Sequence, residues 1–252
     1  MIEIKNLTRT FKNKTGIKNV SFNINQGDIV AFIGDNGAGK TTTIKALFGE
    51  VRLKEGNVLL NGENLHENNN LKNVAFFPDT NNIPLDMKLN EYIHYLCAAN
   101  GMEKKDFMPN IEPIYNMLGL DKHKGKKLKE LSAGWKKKAI MASVLIRGPK
   151  YIILDEPTAN LDVESKLEFI SILKELNTYG VTIMITSHII EELQEIANHL
   201  VLIKNGEIVF DKIIDNQKER IIDIYKKFVD PKKIDLSNLN NVYKGGQNGK
   251  AI

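Results

Sequence analysis

One glycine-rich segment has the residue types and the spacing that bind phosphate. Positions 34–41 read G-D-N-G-A-G-K-T, with Gly34, Gly39, Lys40 and the hydroxyl of Thr41 at the spacing of a nucleotide-binding loop. Glycines let a loop wrap closely around phosphate oxygens, which its backbone N–H groups and the following helix then bind. We predict that Lys40 contacts the β- and γ-phosphates and that Thr41 offers its hydroxyl to Mg²⁺. The alternative is an ordinary strand-to-helix turn, which would leave both side chains without a role.

A second group of residues that could do chemistry is a pair of acids, which directly follows the apolar run at residues 151–154. A carboxylate at the tip of a buried strand is costly unless it meets a cation, and beside a phosphate-binding loop Mg²⁺ is the obvious one. We predict that Asp155 holds this ion through water and that Glu156 polarises the attacking water as general base. The alternative is that both acids are solvated and open a turn before Pro157.

The order of the predicted elements indicates an α/β protein. Residues 29–33 form a continuous apolar run typical of a buried strand, and residues 41–48 are predicted to form the helix after the loop. After a stretch of helical spacing, strands again alternate with helices, which favours a mainly parallel sheet. The helical block at about residues 82–148 is therefore predicted to be an inserted subdomain. Residues 216–252 are predicted to form a C-terminal helix and a flexible tail.

Two helices are predicted in the last third of the chain, at about residues 163–177 and 189–198. The first carries an apolar stripe that we expect to pack in the core rather than to contact a partner. The stripe consists of Leu167, Ile170, Leu173 and Leu176.

Composition limits the remaining possibilities. The 252 residues are 42% hydrophobic and 26% charged, which is ordinary for a soluble globular protein. No apolar run approaches the ~18 residues of a membrane span, and the N-terminus lacks the apolar region of a signal peptide, so we expect a cytoplasmic protein. The single cysteine, Cys97, excludes a disulfide framework and is predicted to lie in the core. A net charge of +4 is too small to argue for a nucleic-acid partner.

Eight lysines crowd one stretch that has few acids. A solvated surface is the default interpretation, and attraction to phosphate or anionic lipid is the sharper alternative. They are Lys122, Lys124, Lys126, Lys127, Lys129, Lys136, Lys137 and Lys138.

Residues 1–212 resemble the nucleotide-binding subunit of an ATP-binding cassette (ABC) transporter. Besides the phosphate loop and the two acids, residues 131–135 (L-S-A-G-W) match the family's signature segment, and residues 159–162 (A-N-L-D) match the loop that follows the acids. His188 matches the switch histidine, and Phe11 stands where an aromatic residue stacks on adenine. The signature segment makes the resemblance specific, since a phosphate loop alone would admit many other ATPases and GTPases.

The resemblance implies a P-loop NTPase core with a mainly parallel sheet, an N-terminal antiparallel β subdomain and the inserted helical subdomain, within an ATPase domain at residues 1–215. It implies ATP and Mg²⁺ as ligands, with Lys40, Glu156 and His188 as catalytic residues and Thr41, Asp79 and Asp155 as metal ligands. The implied nucleotide-binding residues are Phe11, Gly34, Asp35, Asn36, Gly37, Ala38, Gly39, Lys40, Thr41, Thr42, Ser132, Ala133 and Gly134.

Each implied role has a physical basis and an alternative. Ser132 is predicted to cap a helix whose N-terminus can bind a γ-phosphate, which in the family belongs to the other subunit's nucleotide; the alternative is an ordinary capped helix. His188 would contact the γ-phosphate, although a histidine at a strand end is usually structural. Asp162 would couple the two sites, and an N-cap role fits equally well. Phe11 could instead be a core residue.

Several positions depart from the family's pattern. Asp79 stands where a glutamine usually senses Mg²⁺, and some drug and peptide exporters resemble the chain in having an acid there. Trp135 replaces the glutamine that ends the signature, and Ala133 replaces a glycine at a place where a helix accepts alanine. Lys138 stands where arginine is common, so we expect it to lose bidentate pairing.

The resemblance implies an ATPase subunit that powers export by a separately encoded membrane permease. The coupling helix of the permease would dock near Asp79 and the helical block, placing the ATPase subunit on the inner face of the cell membrane. A second ATPase subunit is expected in an ATP-dependent head-to-tail homodimer, and no nucleic acid is expected as a partner. The alternative is a soluble member of the superfamily such as an iron–sulfur cluster assembly ATPase.

Overall fold

The computed structural model describes residues 1–12, 15–77, 83–187 and 189–228. Ten strands and seven α-helices follow one another in this part of the chain. They are β1 (Ile2–Thr10), β2 (Gly16–Ile24), β3 (Ile29–Ile33), α1 (Lys40–Leu47), β4 (Glu55–Leu60), β5 (Glu63–Asn64), β6 (Val74–Phe77), α2 (Leu89–Ala99), α3 (Lys104–Leu118), α4 (Ala133–Leu145), β7 (Tyr151–Asp155), α5 (Val163–Thr178), β8 (Thr182–Thr186), α6 (Ile190–Gln194), β9 (His199–Lys204), β10 (Glu207–Ile213) and α7 (Ile221–Phe228).

The strands form two sheets, which confirms the predicted fold class. An antiparallel sheet has the order β2-β1-β4-β5. A six-stranded sheet has the order β10-β9-β3-β8-β7-β6, and only its edge strand β10 runs antiparallel to its neighbour. Every residue of β3 is buried, as its continuous apolar sequence predicts. The turn between β4 and β5 contains Asn61 and Gly62, both at positive φ, which suits the twist of a tight hairpin.

The register of the parallel strands places three chain segments at one edge of the larger sheet. β8 lies between β3 and β7, with Ala31 beside Ile185 and Asp155 beside Thr186. The glycine-rich loop follows β3, and Asp155 is the last residue of β7. Ligands bind at this carboxyl edge in open α/β sheets, so the fold brings the predicted phosphate loop and the predicted acids to the same place.

Helices α2, α3 and α4 lie between β6 and β7 in the chain and share one core with the larger sheet. Tyr115 from α3 and Ile140 from α4 are fully buried in the same cluster as Phe77 and Leu154. Cys97 from α2 is also buried there as a free thiol, as predicted. A second cluster on the other face of the sheet packs α1 against the antiparallel strands. The predicted division into domains stays a prediction. No helix in the described ranges is long and apolar enough to cross a membrane.

Two details of the predicted helices are wrong. The helix α6 covers only Ile190–Gln194, because the chain is bound to the larger sheet again at Asn198. The Asn198 N–H donates to the Ile29 carbonyl at 3.1 Å, and the Asn198 side-chain oxygen accepts from the Ile29 N–H at 2.8 Å. In α5, Leu167 is 57% exposed, because Phe169 rather than Leu167 continues the buried stripe.

The lysine-rich stretch is partly a set of ion pairs. Lys124 meets Glu112 at 2.7 Å, Lys129 meets Asp86 at 2.6 Å, and Lys138 meets Glu168 at 2.5 Å. Lys137 is buried, unlike the solvated surface that we take as the default for the stretch.

A buried histidine is held between two acids where β9 begins. The Nδ1 atom of His199 lies 3.2 Å from Asp28 Oδ2, and its Nε2 atom lies 2.6 Å from Asp211 Oδ1 on β10. Burial disfavours the charged imidazolium, but the hydrogen bonds and charges of Asp211 and Asp28 outweigh it and raise the pKa of His199. The imidazole therefore joins the segment before β3 to the edge strand β10 of the larger sheet.

We expect this cluster to make stability depend on pH. Because folding raises the pKa of His199 above its unfolded value of about 6.5, its contribution is complete below that pH and is lost as pH rises through the folded pKa. His199→Gln should lower the free energy of unfolding by about 3 kcal/mol at pH 6, and by less at higher pH. Urea unfolding of both proteins from pH 6 to 9 measures this. His66→Gln, at an exposed histidine, is the control. Parallel profiles for wild type and His199→Gln would contradict the prediction.

Candidate functional site

The glycine-rich loop follows β3 and leads directly into α1. Gly37 and Gly39 have φ angles of +81° and +116°, which side chains rarely adopt. A Cβ atom at Gly34 would lie 2.3 Å from the Ile203 carbonyl oxygen, and one at Gly39 would lie 2.8 Å from the Ile17 side chain. Packing therefore requires glycine at both Gly34 and Gly39, and the backbone conformation favours glycine at Gly37 and Gly39.

The remaining loop positions divide into an exposed tip and a buried base. Asp35, Asn36 and Gly37 are exposed, whereas Ala38 and Lys40 are buried. The exposed tip leaves backbone groups available to a bound anion, which agrees with the predicted role of the loop. The predicted binding residues Thr41 and Thr42 lie in the first turn of α1.

Lys40 folds over the loop that precedes it. Its Nζ donates to the Gly34 carbonyl at 2.6 Å and lies 3.3 Å from the Asp35 carbonyl. Burial lowers the pKa of Lys40, while the charges of Glu156, Asp155 and Asp35 act in the opposite direction. The structure thus brings this cation close to Glu156, the predicted general base, and to Asp155, a predicted metal ligand.

A chain of hydrogen bonds joins the loop helix to the ends of β7 and β8. Thr41 Oγ1 donates to Asp155 Oδ2 at 2.9 Å, and Thr186 Oγ1 donates to Asp155 Oδ1 at 2.6 Å. The Glu156 N–H in turn donates to Thr186 Oγ1 at 2.9 Å. The sequence reasoning missed Thr186, because its position after an apolar strand gives no local sign that it meets an acid 31 residues away.

Thr41 and Asp155 are suitable ligands for Mg²⁺. Both offer hard oxygen atoms, and their hydrogen bond shows that they reach the same point. Across the described residues, no group of three acids, histidines or cysteines could hold a metal by itself. Mg²⁺ commonly uses one or two protein oxygens and takes the others from phosphates and water, so the pair fits this ion.

Glu156 has an unusual backbone conformation. Its φ angle is +49°, in the left-handed region that residues other than glycine seldom adopt. Its N–H lies 3.2 Å from the Thr186 carbonyl and 2.9 Å from the Thr186 hydroxyl, so the end of β8 holds it from one side. Strained conformations of this kind cluster at active sites, where the surroundings keep them in place.

The signature segment starts a helix, as predicted. Ser132 is the N-cap of α4, and its hydroxyl accepts from the Trp135 N–H at 3.4 Å. Ser132 and Ala133 are exposed, so the start of this helix is open to solvent. A Cβ atom at Gly134 would lie 2.8 Å from the Ser165 hydroxyl, which leaves room only for glycine unless that hydroxyl moves.

Two residues that depart from the family pattern, Trp135 at the end of the signature and Lys138 just after it, contact each other. The Trp135 ring centroid lies 4.2 Å from that of His123, and Lys138 Nζ lies 4.3 Å from the Trp135 centroid. Lys138 also makes one hydrogen bond to Glu168, on α5, in place of the bidentate pair that an arginine would allow. Both departures therefore have partners within the helical block and α5.

Two weaker predictions can be placed. Phe11 is half-exposed and outside both cores, with the Arg9 guanidinium 5.0 Å from its ring centroid. The structure thus does not place it in the core, and adenine stacking stays a prediction. Asp162 caps α5 by accepting from the Ser165 N–H at 2.8 Å, which is the structural alternative for this residue. The predicted site residues Asp79 and His188 lie outside the described residues, so their roles also stay predictions.

The last helix reaches the phosphate loop. Tyr225 donates its hydroxyl to Asp35 Oδ1 at 2.7 Å, and burial followed by this hydrogen bond raises the pKa of Tyr225 to about 12. Lys204 Nζ donates to the Phe228 carbonyl at 2.7 Å and holds the end of the helix. The apolar spacing of this segment predicts the helix, but nothing local predicts a contact across 190 positions of the chain.

Comparisons with known proteins agree with this geometry. The sequence model of the family described as ABC transporter matches residues 17–159. The chain is 30% identical over 220 residues to the SkfA peptide export ATP-binding protein SkfE of Bacillus subtilis, covering 87% of this chain and 92% of that protein. It is 32% identical over 218 residues to the lantibiotic transport ATP-binding protein SrtF of Streptococcus pyogenes, covering 86% and 93% respectively.

A solved structure shows the same fold in a functional state. It is the dimeric, post-hydrolysis form of an ATP-binding cassette bound to ADP and Pi. It matches this chain with a TM-score of 0.72 and 25% identity, covering 85% of this chain and 99% of that one.

Proposed function

This chain belongs to the ABC transporter family, and from that premise we propose that it hydrolyses ATP to power export through a separate membrane permease. The observation that carries the proposal is the hydrogen-bonded chain from Thr41 through Asp155 and Thr186 to Glu156. It gathers a phosphate loop, a pair of oxygen ligands and a candidate general base at one edge of the sheet.

The site accounts for the hydrolysis of ATP to ADP and phosphate. The backbone of the loop and Lys40 bind the phosphates, and Thr41 and Asp155 would hold Mg²⁺, whose charge offsets that of the β- and γ-phosphates. Glu156 takes a proton from water as the water oxygen attacks the γ-phosphorus. The bond from this phosphorus to the bridging oxygen breaks, and ADP leaves.

The relatives favour export over the soluble alternative. SkfE is named for peptide export and SrtF for lantibiotic transport, and neither name supports an iron–sulfur cluster assembly ATPase. The acid at position 79, which resembles that of some exporters, points the same way. Attachment to a permease would place this subunit on the inner face of the cell membrane.

A groove between the helical block and the larger sheet suits the permease. It has a volume of about 810 Å³ and is bounded by β6, the segment before α2, α2 itself and the end of α4. Apolar side chains such as Ile83, Met87 and Leu96 line it, and Tyr95 is 54% exposed beside them. An apolar groove of this kind can receive one face of an amphipathic helix.

Arg147 indicates the charge of the segment that enters the groove. It lies in the groove wall, and burial lowers the pKa of its guanidinium. Within the described part of the chain, no carboxylate forms an ion pair with it, and a partner of opposite charge would offset the hydration that this cation has lost. We propose that the cytoplasmic segment of the permease lays an apolar face in the groove and directs a carboxylate at Arg147.

The exposed start of α4 supports a head-to-tail dimer. Ser132 is exposed and caps a helix whose N-terminus can bind phosphate. In a head-to-tail pair, this helix end would face the nucleotide held by the partner's loop. The dimeric cassette with a similar fold supports dimerisation, and the head-to-tail orientation is part of the proposal.

Glu156→Gln should bind ATP and hydrolyse it at least ~100-fold more slowly, because the amide keeps the shape of the side chain but cannot accept the proton. Steady-state ATPase assays of the permease-bound complex measure the rate, and a fluorescent ATP analogue measures binding. Glu175→Gln, at an exposed acid of α5, is the matched control. Turnover near that of wild type in the complex would show that Glu156 is not the base.

The same Glu156→Gln substitution should trap an ATP-dependent dimer, because the nucleotide that bridges the two subunits persists. Size-exclusion chromatography with and without Mg-ATP is the measurement. Adding Lys40→Ala should abolish the dimer by weakening phosphate binding, and adding Ser132→Arg should abolish it by blocking the helix start. A monomer at high protein concentration and saturating ATP would argue against the arrangement.

Arg147→Glu should reduce recovery of the permease at least ~10-fold, because the new carboxylate would repel the proposed carboxylate of the permease at a partly buried position. The measurement is the amount of polytopic membrane protein that co-purifies with the tagged chain. Lys150→Glu changes the net charge equally at an exposed position nearby and is the control. Equal recovery with Arg147→Glu would exclude a carboxylate partner, and recovery of cluster-assembly proteins with wild type would favour the alternative function.

A further inference from the structure

The signature helix contains a buried lysine. Lys137 is only 6% exposed and counts as buried, whereas its neighbours Lys136 and Lys138 are both partly exposed. Lysine is almost never fully buried unless its charge is paired or hydrogen-bonded, because the ammonium loses its hydration. The buried ammonium group of Lys137 should therefore have specific hydrogen-bond partners.

The Lys137 ammonium meets the backbone that follows β7. It donates a hydrogen bond to the Pro157 carbonyl and lies 3.5 Å from the Glu156 carbonyl. Lys137 lies five residues after the N-cap Ser132, so little more than one turn of α4 separates Ser132 from this contact. The helix is thereby attached to the segment that carries the proposed general base.

Contacts from two elements hold the backbone around Glu156. On its amide side, the N–H donates to Thr186 at the end of β8. On its carbonyl side, Lys137 contacts the Glu156 and Pro157 oxygens. The left-handed φ of +49° at Glu156 costs energy and persists only where the surroundings hold it, and these contacts are suited to do so.

We infer that Lys137 is a positioning residue for Glu156. The direction in which the Glu156 side chain leaves the backbone depends on its φ angle, and Lys137 holds the peptide groups that follow. A shift of about 1 Å in a catalytic group can cost ~10²-fold in rate. The inference rests on the proposed role of Glu156 as general base, and it adds a residue on a different element that controls that base.

Lys137→Met, which keeps the length and removes the donor, should lower kcat about 10- to 100-fold and leave KM for ATP within about twofold. Lys136→Met is the matched control and should retain the wild-type kcat. Lys137→Arg keeps a cationic donor and should recover most of the lost rate. A wild-type kcat for Lys137→Met would overturn the inference, and so would an equal loss for Lys137→Arg and Lys137→Met.

A double-mutant cycle tests whether Lys137 acts through Glu156. In single-turnover assays, Lys137→Met should slow the Glu156→Gln protein by less than about twofold, because the base that it positions is gone. Multiplicative losses would show an independent, structural role and would overturn the inference. If Lys137→Met proves too unstable to purify, Lys137→Leu, which also lacks a donor, takes its place in both assays with the same expected losses.

The two proposals fail in different ways. Near-normal turnover by Glu156→Gln would refute the general base, and with it the positioning role, whatever the Lys137 variants do. A slow Glu156→Gln protein beside a fully active Lys137→Met protein would refute the positioning role alone.

Discussion

The Asp155 carboxylate, held by two hydroxyl groups, is the interaction on which the rest of the site depends. Thr41 and Thr186 belong to elements far apart in the sequence, and each donates to a different oxygen of Asp155. Their bonds fix the start of α1 and the end of β8 relative to β7. Thr186 also accepts a hydrogen bond from the N–H of Glu156, so the orientation of the proposed metal ligand and that of the proposed base are set together.

The parts that sequence predicts well are those in which local chemistry and the fold agree. A buried strand, a loop whose glycines are required by close contacts and a helix follow one another from residue 29 to residue 47, and a neighbouring strand ends in the two acids. The parts that sequence reasoning missed depend on contacts between distant segments. The burial of Lys137, the bond from Thr186 to Asp155 and the reach of Tyr225 to Asp35 arise only when separate elements pack. Leu167 shows the same limit, because helical spacing indicates a stripe but not where it leaves the core.

Two of the residues that depart from the family pattern, Trp135 and Lys138, belong to one cluster of packed side chains. Trp135 packs on His123 and under Lys138, while Lys138 pairs with Glu168 on α5. Among the residues that the structure describes, none makes a hydrogen bond to the buried Nδ1 atom of His123, and burial followed by the charges of Lys126 and Lys138 lowers the pKa of His123. The imidazole packs against the indole, and the cluster holds the first turns of α4 between the short 3-10 helix at Asp121–His123 and α5. The substitution of the usual glutamine by tryptophan thus exchanges a polar side chain for packing that steadies this helix.

The position of α4 gives the proposed dimer a physical connection between its two sites. At its start, Ser132 would face the nucleotide bound by the partner, and at Lys137 it contacts the segment that carries this subunit's own general base. Between these points the helix backbone is continuously hydrogen-bonded, and Trp135 packs it against His123 of the helical block, so a displacement of one end would be passed on to the other. The groove proposed for the permease also includes the far end of α4. A shift of this one helix by the permease would therefore act on the signature and on the backbone of Glu156 together, because both are attached to it.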